Sequence, residues 1–318
     1  MLDAIDDWRS GRAYAPGYDD HVARARSAFA RIVGVPDEDV ATGSQASAFA
    51  GVVAASLAQG AEVLCAKGDF TSILFPFLVQ RERGVTVRSV ALESIADEVR
   101  DSTDVVALSA VQSSDGRIAD LDAVAQAARR HNSATLIDVT QACGWLPLDA
   151  SQYDYVVCSA YKWLLSPRGS AFFAVRPERL SGLTPHTAGW YAGEDPWDSI
   201  YGEPLRLARD ARRLDLSPAW LSWVGTAPAL ELLADMGAEA VGAHSATLAG
   251  RLREALGLAP SRSAIVSLDA PGARERLEQA GIRASVRGGA VRISLHLYND
   301  EADVDAVIAA LRPGSLGE

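Results

Sequence analysis

The sequence is poor in the features that mark most specialised chemistries. Its three cysteines, Cys65, Cys143 and Cys158, are odd in number and lack a CxxC spacing, which excludes a disulfide framework and the usual cysteine metal motifs. Each lies in or beside an apolar run, the setting of buried thiols in a reducing cytosol. Five scattered histidines form no HExxH or comparable ligand spacing, so no metal site is expected. No apolar run approaches the roughly 20 residues that cross a bilayer, and the N-terminus lacks the basic-then-apolar order of a signal peptide. The expected location is therefore cytoplasmic. Positive charge is scarce as well: 30 Lys and Arg stand against 41 Asp and Glu, a net charge of −11. A surface of that sign repels nucleic acid and anionic membrane, so neither is an expected partner. There is no Walker A lysine, no GxGxxG, no internal repeat and no low-complexity tract.

What is present is an ordinary globular composition, 48% hydrophobic and 22% charged, over 318 residues, enough for about two domains. Residues 1–33 read as helical, with a break at 14–18. Seven short β-rich runs follow, at 39–42, 62–65, 86–90, 105–110, 135–139, 153–159 and 171–175, with helical stretches such as 46–57 and 121–130 between them. This alternation predicts an α/β fold with a mainly parallel seven-stranded sheet and helices on both faces. Residues 184–218, rich in Trp, Tyr, Gly and Pro, read as an ordered loop region, followed by a long helix to about residue 236. Residues 237–318 then suggest a smaller α/β unit, with helices at 240–256, 272–280 and 301–311 and strands at 264–268, 283–287 and 290–294. The expected division is a large domain over 13–236 and a small domain over 237–318, joined by the N-terminal helix 1–12.

The stretch that organises the rest is 135–169, TLIDVTQACGWLPLDASQYDYVVCSAYKWLLSPRG. Its first β-rich run ends on Asp138, Thr140 and Gln141, its second on Ser159, Tyr161 and Lys162. Ligands of open α/β sheets lie beyond the carboxyl ends of the strands, so neighbouring strands would bring an acid and an amine to one crevice. A carboxylate for a pyridinium nitrogen and a lysine for a Schiff base are what pyridoxal 5'-phosphate (PLP) asks of a protein.

The spacing D-x-x-Q-x-x-G followed by S-x-x-K and P-x-G is met by Asp138, Gln141, Gly144, Ser159, Lys162, Pro167 and Gly169. In this it resembles the class V aminotransferases, the PLP fold-type I group that includes cysteine desulfurases and kynureninases. The resemblance implies PLP as cofactor, Lys162 as the Schiff-base lysine, Asp138 as partner of the ring nitrogen and Gln141 as donor to the phenolate oxygen. It also places the phosphate loop at ATGSQAS, with Gly43, Ser44 and Gln45, and adds the hydroxyls of Ser159 and Tyr161. Tyr161 is similar to the S-Y-K-Y of kynureninases. Phe70 stands where relatives put the ring that stacks on the cofactor, and Gln112 or Ser113 where they place an Asn. VRISLHLYN is similar to the family's R-x-S-x-x-x-Y-N, which makes Arg292 the bidentate partner of a substrate carboxylate, with Arg287 a lesser candidate. His296, Tyr298 and Asn299 would shape the turn that follows. ARRLDLSPAW resembles the segment that reaches the phosphate of the neighbouring subunit, with Ser217 and Pro218 in place of Gly-Thr, and so implies a homodimer. Class V relatives usually carry an extended stretch ahead of the first helices, and this sequence starts after it.

The reaction expected is transamination of a small amino acid or amine. A lyase or epimerase using the same Lys162, such as C–S β-elimination from a cysteine derivative, is the alternative, and a PLP-binding protein without turnover is a third. A persulfide-forming desulfurase ranks low, because 283–291 (RASVRGGAV) contains no cysteine.

Overall fold

The β-branched and aliphatic runs become strands in a computed structural model of the chain, which describes residues 1–311. Seven of them, Val40–Gly43 (β1), Glu62–Ala66 (β2), Thr86–Val90 (β3), Thr103–Ser109 (β4), Ala134–Asp138 (β5), Tyr155–Ser159 (β6) and Ala171–Val175 (β7), form one sheet in the order β1-β7-β6-β5-β4-β2-β3. β3, β2, β4, β5 and β6 are parallel; β7 runs antiparallel to both β6 and β1. This is the mainly parallel sheet expected, within two residues at most strand ends.

Helices Leu2–Arg9 (α1), Asp19–Val33 (α2), Ala46–Ser56 (α3), Thr71–Leu78 (α4), Leu121–Arg130 (α5), Pro177–Leu180 (α6) and Trp220–Met236 (α7) accompany it. The central strands are apolar at successive positions because both faces are covered. Val106 and Leu108 join one core with Phe29, Val124 and Trp223, while Val105 and Ala107 join the other with Phe49 and Phe77. Gly237, at φ 80°, separates α7 from Ala238–Ala255 (α8). Beyond it, Ile265–Leu268 (β8), Ser285–Arg287 (β9) and Ala290–Ser294 (β10) form an antiparallel sheet in the order β8-β10-β9. Ala273–Gln279 (α9) and Glu301–Leu311 (α10) pack there with α8 around Leu252, Val266, Leu277, Val291 and Val307.

Two features go beyond the sequence reading. Residues 71–78 form α4, although the apolar run SILFPFL shows no clear period and contains Pro76; the helix buries Ile73 and Phe77, one turn apart, and gives way to a 3-10 turn at Val79–Arg83. The run expected at 153–159 starts as a strand only at Tyr155, because Ala150–Gln152 closes a 3-10 turn capped by Asp149. The 184–218 region is an ordered loop with short 3-10 turns, pinned where Asp19 accepts from Tyr191 Oη at 2.9 Å and Trp197 Nε1 at 2.7 Å.

Helix α8 passes close to the loop after β5. A Cβ on Gly242 would lie 2.1 Å from the Trp145 carbonyl oxygen, a backbone atom that cannot swing away, whereas one on Gly250 of the same helix would meet nothing within 4 Å. Helix propensity alone makes both Gly→Ala changes stabilising by up to about 1 kcal/mol. Urea unfolding should show that gain for Gly250→Ala, while Gly242→Ala should lose about 1–3 kcal/mol through overpacking.

Candidate active site

Parallel register delivers the polar strand ends to one edge of the sheet. Ser109, the last residue of β4, pairs with Asp138, the last of β5, and β6 ends beside them at Ser159. Asp138 is buried, and its Oδ1 accepts the Thr140 backbone N–H at 2.8 Å. The Thr140 Oγ1 accepts in turn from the Ser159 N–H at 3.0 Å, tying the two strand ends together. Burial pushes the Asp138 carboxyl above its ordinary range, opposed by hydrogen bonds from Thr140 and by the charge of Lys162. Lys162 follows β6. Burial lowers its amine, while the Asp138 charge pulls the other way. Its Nζ lies 5.1 Å from the ring centre of Phe70 and 5.9 Å from that of Tyr161, and the Arg168 guanidinium carbon lies 4.0 Å from the Tyr161 ring centre.

On the other side of this pair stands Gln141. Its Nε2 donates to Ser113 Oγ at 3.1 Å, and its Oε1 accepts from Trp163 Nε1 at 2.9 Å. Arg292, from β10, donates Nη1 to the Ser113 carbonyl and lies 3.3 Å from its Oγ. The Arg292 Nε is buried without a partner. Thus Ser113, rather than Gln112, belongs to the cluster; Gln112 turns to Asp69 Oδ2 at 3.2 Å and the Ser109 carbonyl.

The loop after β1 lies against the end of β6. Gln45 precedes α3 without a side-chain cap, Ser44 and Gln45 are exposed, and the Ala46 N–H donates to Ser159 Oγ at 3.0 Å. Gly43 is glycine for a steric reason, since a Cβ there would come 2.7 Å from the Phe49 ring. The segment before Ser217 is fastened to this loop: Leu216 N–H donates to the Thr42 carbonyl at 2.9 Å, and Asp215 accepts from Thr42 N–H at 2.7 Å and pairs with buried Arg26 at 2.6 Å. Ser217 itself is exposed beside this anchor.

The structure thus gathers Phe70, Ser113, Asp138, Gln141, Tyr161, Lys162 and Arg292 around one point, with Gly43, Ser44, Gln45 and Ser159 at its rim. Arg287 is exposed at the β9–β10 turn, on the strand face that carries Arg292. His296 and Asn299 do shape the turn after β10, with His296 N–H donating to Asn299 Oδ1 at 2.9 Å and Asn299 N–H returning to the His296 carbonyl. The sequence reading named Thr140 as a polar strand-end residue without giving it a role, and did not single out Asp69, Trp145 or Trp163. Asp69 accepts from Ser109 N–H and Oγ and from the Phe70 N–H, and so sets the Phe70 backbone. Its position just before Phe70 was the only available signal.

The class-V aminotransferase family model matches residues 9–277. The chain belongs to this family. The uncharacterized aminotransferase YcbU of Bacillus subtilis is 27% identical over 304 residues, covering 88% of this chain and 80% of that protein. The isopenicillin N epimerase of Streptomyces clavuligerus is 27% identical over 340 residues, covering 91% and 83%. Among solved structures, a C-DES variant with glycine covalently linked to its PLP cofactor superposes with a TM-score of 0.85 at 22% identity, over 97% of this chain and 91% of that one, which speaks for the fold.

A class-V chain is a PLP-dependent enzyme, and the residues present fit that cofactor. Asp138 is a buried carboxylate that makes no direct ion pair among the described residues; the charge of Lys162 acts on it only from a distance and does not offset its burial. A pyridinium N–H would supply the missing charge. The chain contains only two lysines, Lys67 and Lys162; Lys67 is exposed just past the end of β2, and Lys162 is the one whose charge acts on Asp138.

In apoprotein, acylation of Lys162 should titrate below the ordinary lysine value of 10.5, because burial disfavours the ammonium. Asp138→Asn removes a charge that holds the ammonium on, so it should move the midpoint lower still. Acylation followed by peptide mass analysis over a pH series checks both signs.

Proposed function

We propose that this class-V enzyme transfers the amino group of a small α-amino acid or amine, using PLP bound through Lys162. The observation that carries the reading is that buried Asp138, at the end of β5, and Lys162, just past the end of β6, act on each other's charge, with the Lys162 Nζ over the half-exposed ring of Phe70. When bound, PLP supplies an aldehyde that condenses with amines and a ring that draws the electron pair left at a substrate Cα. Asp138 would keep the ring nitrogen protonated, Phe70 would stack beneath the ring, and the Gln141 Nε2 would donate to the phenolate oxygen. The start of α3, with Gly43, Ser44 and Gln45 and the hydroxyls of Ser159 and Tyr161, would hold the phosphate. Lys162, with its proton affinity lowered by burial, would take the Cα proton and return it elsewhere. Arg292 would leave Ser113 for the substrate carboxylate, giving its unpartnered Nε an acceptor. Ser217, exposed next to the anchored 215–216 segment, would reach the phosphate of a second copy in a homodimer.

A second reading has its own support. Two isopenicillin N epimerases are 27% and 28% identical over 91% of this chain, and epimerisation needs the proton removed from one face of Cα to be replaced on the opposite face. Lyase chemistry starts from the same proton removal. Sulfur transfer to a protein thiol fits poorly, since Cys65, Cys143 and Cys158 are all buried and burial pushes the Cys65 thiol up to about 12.

Borohydride reduction of the purified protein should fix one cofactor per chain, on the peptide containing Lys162, with none on the Lys67 peptide and none in Lys162→Ala. A protein that fixes no PLP would sink the reading. Incubation with single amino acids then separates the reactions: conversion of the cofactor to pyridoxamine phosphate marks transamination. Solvent deuterium at Cα with inversion marks epimerisation, and release of ammonia with an oxo acid or sulfide marks a lyase. Arg292→Ala should lower kcat/KM for a carboxylated substrate about 30-fold or more, the scale of a lost charge-assisted pair of about 2 kcal/mol, and affect a simple amine far less.

A further inference from the structure

Gln141 can serve the cofactor only with its nitrogen end turned toward it, and an amide side chain has two ends of nearly the same shape. Ser113 Oγ, 3.1 Å from Nε2, does not choose between them, because a hydroxyl accepts from an N–H as readily as it donates to a carbonyl. Arg292, also on Ser113 Oγ at 3.3 Å, is a donor and would favour the opposite end. Trp163 is different. Its indole N–H can only donate, and it meets Gln141 Oε1 at 2.9 Å with both residues buried.

The indole is held in turn. It stacks on His296 at 5.0 Å with an interplanar angle of 18° and packs at 5.4 Å against Trp145, whose own Nε1 donates to the Gln141 carbonyl at 2.7 Å. His296 Nδ1 accepts from the Leu297 N–H at 2.7 Å, so Nε2 carries the proton and donates to the Trp163 carbonyl at 3.0 Å. Burial favours this neutral form by lowering the imidazole's proton affinity. Both the ring and the main chain of Trp163 are therefore held by contacts within the protein.

We infer that Trp163 is a positioning residue: its N–H orients the Gln141 amide so that Nε2, with one N–H unspent among the described residues, faces the phenolate oxygen of the cofactor. The inference rests on the proposed placement of PLP at Lys162. A donor on the phenolate oxygen would lower the proton affinity of that oxygen and of the Lys162 nitrogen bound to the cofactor, which would share its proton. A flipped amide would set a carbonyl oxygen against it and raise that affinity.

The test is a pH titration of the visible absorption band of the holoenzyme in wild type, Trp163→Phe, Gln141→Leu and the double variant. Borohydride fixation on Lys162 is measured first in each. Trp163→Phe keeps the stack on His296 and removes the N–H. Its midpoint should rise by about one pH unit, Gln141→Leu should rise comparably, and the double variant should rise no further. A benzothienylalanine at position 163, with sulfur in place of the N–H, gives the same comparison should the phenylalanine variant fail to fold. A midpoint unchanged in the position-163 variants while Gln141→Leu shifts would reduce Trp163 to packing and overturn the inference. So would additive shifts, or no shift in any variant. Wild-type protein without cofactor on Lys162 would instead remove the PLP placement itself.

Discussion

The structure depends on one carboxylate kept out of water. Asp138 ends a strand buried on both faces, so its charge is costly unless a cation meets it. The protein offers Thr140 hydrogen bonds and the nearby Lys162, but burial also disfavours the charge on that amine. Each group is thus left short of the partner it needs, in an arrangement that a positively charged heteroaromatic ring would complete. Stability is spent here in favour of a ligand, and the surrounding network holds the geometry open.

That network joins the two sheets. Arg292 and His296, from the strand β10 and its turn, bond to Ser113 and Trp163 around the large sheet's carboxyl edge. Gly116, at φ 80°, brings the loop after β4 so near β8 that a Cβ would lie 2.7 Å from Ile265. Gln141 sits between the two ends of this circuit, through Ser113 on one side and Trp163 on the other. A motion of β10 would therefore be felt at the residue facing the proposed phenolate site, without passing through Lys162.

Much of this was legible along the chain because parallel strands buried on both faces leave a simple trace: an apolar run, then polar residues where the strand emerges. Asp138 and Lys162 could be read that way, and so could the seven-stranded sheet. Arg292 could be read by motif. The helix α4 could not, because its apolar run has no period to distinguish it from a strand, and Pro76 argues against a helix until packing of Ile73 and Phe77 outweighs it. Nor could the choice of Ser113 over Gln112, which turns on Asp69 lying within reach of Gln112 across the sheet edge.

The sequence by itself determined the fold class and which polar residues stand at the strand ends, Asp138 and Ser159 among them, since these rest on residue type and on order along single strands. Only the tertiary structure decided which way Gln141 points, where Arg292 rests and how Trp163 and His296 are held. Those are contacts between residues far apart in the chain, and the direction of a hydrogen bond depends on donors and acceptors that meet only when the sheets are packed.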